Sequence, residues 1–156
     1  MEKLITITLL APSDKEQIAQ IARWYEEEWG TPAEINIQRL STHPNQDIIF
    51  HLKLSINGEV VAAGGLWNTV NIFNFHENLK QYRPWIAALY TLESFRGRGL
   101  GSLVLEHIEQ RALELGLEKI YLYTFTAQDL YRKHGWVKID TVEYKGHATV
   151  VMEKQL

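Results

Sequence analysis

The hydrophobic period changes several times along the chain, and each change marks an element. KLITITLL (3–10) is rich in β-branched residues with partial alternation and predicts a strand. Ile18, Ile21, Ala22, Tyr25 and Trp29 then recur at helical spacing until Gly30. Ser13 to Glu16, after Pro12, carries the S-x-x-E spacing of a capping box at the head of that helix. Thr31 and Pro32 open a second helix running through Ile35 and Leu40, followed by a loop from Thr42 to Gln46. IIFHLKLSI (48–56) and EVVAAGGLW (59–67) flank Asn57-Gly58, the dipeptide of a type I′ hairpin turn. Residues 68–84 show no period, and so long an irregular stretch in a compact chain is often functional.

WIAALYT (85–91) is apolar almost throughout, as expected of a strand buried on both faces. Residues 102–116 carry Leu103, Val104, Leu105, Ile108, Ala112 and Leu115 at helical spacing, and Gly116 ends the run. KIYLYT (119–124) is a further strand, Ala127 to His134 a short helix before Gly135, and 136–144 and 149–154 two strands joined at Lys145-Gly146-His147. The order β-α-α-β-β-β-α-β-α-β-β predicts an α+β chain with a mixed central sheet flanked by helices, and residues 1–156 as one domain.

Composition narrows the chemistry. The chain has no cysteine, which excludes a disulfide framework, a thiolate metal site and a cysteine nucleophile. A net charge of −3 argues against a general nucleic-acid binder. No apolar run approaches the roughly 20 residues of a membrane helix, and the N-terminus lacks a signal-peptide pattern, so a cytoplasmic location is expected. The histidines show no spacing such as H-E-x-x-H, and no metal is expected.

Between the apolar strand and the helix the chain reads Arg96-Gly97-Arg98-Gly99-Leu100-Gly101. Successive N–H groups in a glycine-rich turn can converge on an anion, and the helix start adds free donors and the positive end of its dipole. Two arginines can add charge-assisted bonds to phosphate. The alternative is a plain turn with solvated arginines. A P-loop lysine is absent, and G-x-G-x-G is not the dinucleotide fingerprint G-x-G-x-x-G, so ATP and NAD readings are disfavoured.

Thr91 to Gly101 resembles the acetyl-CoA signature of the GNAT superfamily of N-acetyltransferases, whose [RQ]-x-x-G-x-[GA] turn is matched by Arg96, Gly99 and Gly101. LYTFTAQDLYRKHGW (122–136) is similar to the family's later strand and short helix, with Leu130-Tyr131 and Gly135-Trp136 in place, and 144–154 resembles its closing hairpin. The resemblance is specific over about 84–154 and loose before it. It implies a GNAT-like fold and acetyl transfer from acetyl-CoA, as co-substrate, to a primary amine by direct attack in a ternary complex. The backbone of Leu89, Tyr90 and Thr91 would pair with the pantetheine arm. The N–H groups of Arg98, Gly99, Leu100, Gly101 and Ser102 would bind the pyrophosphate, with Arg96 beside them. Glu93 stands where a proline is common and Thr91 where a valine is common; neither change removes an amide.

By the same resemblance Tyr131 lies near the thioester sulfur as general acid, and an N–H of Tyr90 or Thr91 would meet the oxyanion. The base is open: Glu28 and His76 are the candidates, with Glu77 and Glu93 behind them. Glu26-Glu27-Glu28 and nearby Glu34 could attract a cationic small-molecule or peptide amine, although acidic runs are commonly solvated helix faces. Trp24, Trp29, Trp67, Phe73, Phe75 and Tyr82 could line a groove, although core packing explains most of them more simply. The runner-up function is a non-catalytic acyl-CoA-binding sensor on the same fold. An exposed edge strand near the C-terminus could pair with a second copy as a homodimer.

Overall fold

A computed structural model describes residues 4–156. Seven strands form one mixed sheet: β1 (Ile5–Leu9), β2 (Ile48–Ile56), β3 (Glu59–Trp67), β4 (Trp85–Thr91), β5 (Lys119–Thr124), β6 (Val137–Tyr144) and β7 (His147–Gln155). They lie in the order β1-β2-β3-β4-β5-β7-β6, antiparallel except where β4 meets β5. The helices are α1 (Lys15–Trp29), α2 (Ala33–Ser41), α3 (Leu100–Glu114) and α4 (Gln128–Lys133). The fold is α+β, as the element order predicts. No helix among the described residues is long and apolar enough to cross a membrane.

Each sheet face carries its own core. α1 and α2 bury Ile18, Ile21, Tyr25 and Leu40 against one face, beside Ile48, Trp67 and Trp85. α3 buries Leu100, Val104, Leu105, Ile108 and Ala112 against the other, over Leu54, Leu66 and Ile120. Each large side chain so buried contributes about 1.5–3 kcal/mol. Asn57 and Gly58 take φ of 53° and 87°, as the expected I′ turn requires. The second hairpin turns at Lys145 and Gly146, both with φ > 0, and His147 already belongs to β7.

Three local expectations are corrected. The capping box does not form: Asp14 occupies the N-cap, and its carboxylate turns back to accept from the Ala11 N–H at 2.9 Å and Lys53 Nζ at 3.1 Å. Residues 68–84 are not open loop. Two 3-10 turns, Asn71–Asn74 and Glu77–Gln81, bury Val70, Ile72, Phe73 and Leu79 in the core, and that spacing fits neither the helix nor the strand period. β4 is not buried along its length: Trp85 and Ile86 are buried, while Ala87 to Thr91 are half-exposed. The reason lies in its pairing. β4 meets β5 only at Trp85 and Tyr121, and the two strands then part.

The Asp14 carboxyl is held below the usual carboxylate range, first by the Ala11 N–H and then by Lys53. A lowered folded-state value stabilises above the unfolded value of 3.8 and loses that contribution as pH falls through the folded one. Asp14→Asn is therefore expected to lower stability at pH 7 by up to about 1 kcal/mol, for a partly exposed pair. In parallel urea melts the difference should shrink as pH falls below 3.8 and through the lower folded-state value.

Candidate active site

The sequence from Leu92 to Ser102 is built to end a strand abruptly and start a helix. A single 3-10 turn, Glu93–Phe95, leads into Gly97 and Gly99, at φ of 78° and 77°. Both conformations favour glycine, and open space surrounds the Cβ each lacks. Gly99 is the N-cap of α3, and its carbonyl accepts the N–H of Leu103 at 3.1 Å. The N–H groups of residues 97 to 102 find no acceptor among the described residues. A run of backbone donors at a helix N-terminus suits a phosphate.

Of residues 97 to 102, all but Arg98 border a cavity of about 210 Å³. Leu89 and Thr91 of the parted β4, then Arg96, Gly99, Leu100, Gly101 and Ser102, line it together with Tyr131 of α4. Phe95, Leu105 and Leu130 add apolar lining. The fit to a phosphate-bearing chain is thus one of amides at the helix end and an apolar slot along β4. Tyr131 sits edge-on to buried Trp136, and burial pushes its phenol above the usual value of 10.0. α4 is tied in place by Lys154 of β7, whose Nζ donates to the His134 carbonyl at 2.6 Å and pairs with Glu109 of α3.

Apart from Arg96, whose side chain turns back on β4, the remaining sequence candidates lie outside the cavity. Tyr90 projects to the α1 face, stacked on Trp24 with centroids 5.3 Å apart. Arg96 Nε donates to the Thr91 carbonyl at 2.8 Å, and its guanidinium covers Tyr90. Arg98 folds over Phe95 and donates to the Ser94 carbonyl at 3.4 Å. Glu28 is exposed on the last turn of α1 and does not line the cavity. A His76 ring nitrogen bonds the Glu143 carbonyl, pinning the 68–84 segment to β6. Glu77 pairs with Lys80 at 3.7 Å, and Glu93 is exposed. Glu26 accepts from the Ala33 N–H at 2.9 Å and so caps the head of α2. Of the proposed groove aromatics, Trp24, Trp67 and Phe73 are buried, while Trp29 and Phe75 are exposed. No cluster of three His, Asp or Glu suited to a metal occurs among the described residues.

Behind β4 lies a group that the sequence does not advertise. Ala88 takes φ of 56°, at the register shift where β4 bulges against β3. Its carbonyl accepts from the Tyr25 hydroxyl at 2.8 Å. Tyr25 also meets His51 Nε2 at 2.8 Å, and His51 Nδ1 meets Trp67 Nε1 at 3.1 Å. Burial pulls His51 down to about 3, helped by nearby His43, and pushes Tyr25 well above its ordinary range, so both stay neutral. The only hint in the sequence is one histidine inside the apolar run 48–56.

The sequence model of the Acetyltransferase (GNAT) family matches residues 15–136. The uncharacterized N-acetyltransferase YdgE of Bacillus subtilis (strain 168) is 40% identical over 60 residues, which cover 36% of this chain and 38% of that relative. The chain thus matches well under half of the length of that curated relative. Among solved structures, a GNAT-family acetyltransferase from Streptococcus pneumoniae superposes with a TM-score of 0.70 at 19% identity, over 98% of this chain and 99% of that one. The PaiA N-acetyltransferase of Thermoplasma acidophilum, solved with coenzyme A, gives 0.69 at 18% identity over the same shares. At such identities the likeness is one of fold.

Gly65 leaves the room that the Trp67–His51 contact occupies. A Cβ there would lie 2.3 Å from His51 Nδ1 and 2.6 Å from the Phe50 carbonyl oxygen. Gly65→Ala is expected to cost about 1–3 kcal/mol by overpacking. Calorimetry should show this as a melting temperature lower by roughly 2–4 °C per kcal/mol.

Proposed function

The chain belongs to the acetyltransferase (GNAT) family, and on that premise we propose that residues 1–156 form one N-acetyltransferase domain that moves an acetyl group from acetyl-CoA to a primary amine by direct attack in a ternary complex. The observation that carries the reading is a cavity lined both by the α3 N-terminus, whose amides find no partner among the described residues, and by Tyr131. The amides of residues 98 to 102 would hold the pyrophosphate. The half-exposed edge of β4 from Leu89 to Thr91 would take the pantetheine arm as an added strand, and the absence of further pairing to β5 supports this.

The reaction joins the amine nitrogen to the thioester carbonyl carbon, passes through an oxyanion, and expels the CoA thiolate. An amide of Tyr90 or Thr91 would donate to the oxyanion. Tyr131 would donate to the departing sulfur. A thiol has a pKa of about 8.5, and the Tyr131 phenol stands above 10.0. Full proton transfer at the transition state is therefore uphill by roughly 2 kcal/mol or more. Tyr131 acts chiefly as a hydrogen-bond donor, with proton delivery late. A raised phenol also stays protonated through the working range, so it places no alkaline limb below about pH 10 on the rate profile. Neither Glu28 nor His76 lines the cavity, so either would draw the amine proton through water.

The acceptor is an amine that reaches β4 from the side of α1 and the 68–84 segment. Exposed Trp29 and the Glu27–Glu28 pair on that side fit a cationic amine better than an anionic one. The test is thiol release from acetyl-CoA against polyamines, aminoglycosides, amino acids and peptides. A protein without cysteine adds no background to a thiol reagent. Turnover with one class supports the reading. Coenzyme A binding without turnover on any amine would favour a sensor, and no binding would overturn the reading. Tyr131→Phe is expected to lower kcat roughly 10²-fold, the low end for acid–base groups, with little change in the KM of acetyl-CoA. An unchanged kcat would remove Tyr131 from the mechanism.

A further inference from the structure

We propose that Tyr25, His51 and Trp67 form a buried positioning relay that sets the orientation of the Ala88–Leu89 peptide, and through it the edge of β4 that meets the acyl thioester. The kinetic part of this inference rests on the acetyl-transfer reading; its structural part does not.

The direction of every bond in the relay follows from one donor. The Trp67 indole N–H can only donate, so His51 Nδ1 must accept. The proton of the neutral ring is then on Nε2, which donates to the Tyr25 oxygen. The Tyr25 hydroxyl hydrogen is left for the Ala88 carbonyl. A second proton on His51 would set a donor against the Trp67 N–H, and burial prevents it. The relay therefore has one polarity and ends on one backbone oxygen.

That oxygen belongs to a residue that resists its own conformation. Ala88 is a non-glycine residue at φ of 56°, in the left-handed region. The peptide unit is planar and trans, so fixing the Ala88 carbonyl also fixes the opposite direction of the Leu89 N–H. Leu89 lines the cavity next to Thr91. Two adjacent glycines in β3 make the arrangement fit. A Cβ on Gly64 would lie 2.8 Å from the Leu89 side chain, and one on Gly65 would enter the His51 ring. One glycine admits the bulge and its neighbour admits the relay that holds it.

The test compares Tyr25→Phe, Ala88→Gly and the double variant. Phenylalanine keeps the ring and removes only the hydroxyl. In the ligand-free protein the amide resonance of Leu89 should move in Tyr25→Phe. With acetyl-CoA, kcat/KM should fall about tenfold, the loss expected for one hydrogen bond, while the KM of the amine stays put. Glycine adopts φ > 0 without penalty, so in the Ala88→Gly background the same removal should cost about twofold or less. A relay that merely stabilises the core would lower the melting temperature and leave the Leu89 resonance and kcat/KM in place, which overturns the proposal. An equal loss in both backgrounds also overturns it. If no amine is turned over by the wild type, the acetyl-transfer reading fails, and the Leu89 resonance alone decides the relay.

Discussion

The structure depends on where one pair of parallel strands stops pairing. β4 and β5 meet at Trp85 and Tyr121, beside the bond from the Tyr121 N–H to the Pro84 carbonyl at 3.0 Å, and then diverge. At that point Trp85 and Ile86 are buried. Beyond it Ala87 to Thr91 are half-exposed, and Leu89 and Thr91 line one cavity with the N-terminus of α3. A sheet with a full β4–β5 ladder would have no slot for an extended ligand arm. The parting is what leaves a cavity beside the glycine turn.

Keeping such strands apart requires something on each side. On the β3 side, the bulge at Ala88 seats Leu89 over Gly64 and is bonded to Tyr25. On the β5 side, β5 pairs with β7, and Lys154 of β7 binds the end of α4 and Glu109 of α3. The two sides present different chemistry to the same cavity: backbone amides and an apolar slot from β4 and α3, and a phenol from α4. The short helix α4 buries no residue fully, so its position depends on those ties more than on its own packing.

Much of this was legible in the sequence, for local reasons. Asn57-Gly58 specifies its turn through backbone sterics alone, and the stripes on α1 and α3 match a period of 3.6. RGRGLG marks the glycine turn between β4 and α3 because the feature is contiguous. What was not legible depends on distant partners. Asp14 stands at the cap in place of Ser13, its carboxylate taken up by the Ala11 N–H and by Lys53, 39 residues away. The 68–84 segment buries its apolar residues on 3-10 turns, whose spacing looks irregular beside helix or strand templates. β4 reads as a strand buried on both faces because apolar residues lining an open cavity and apolar residues in a core have the same composition. The Tyr25–His51–Trp67 relay joins three elements and leaves no contiguous trace.

The most direct measurement is a titration of ¹⁵N-labelled protein with acetyl-CoA, followed by amide chemical shifts. The account expects saturable changes centred on residues 97 to 102 and 89 to 91, with smaller ones on α4 around Tyr131. Changes centred on α2 and the Thr42 to Asp47 loop, or none at millimolar ligand, would contradict it.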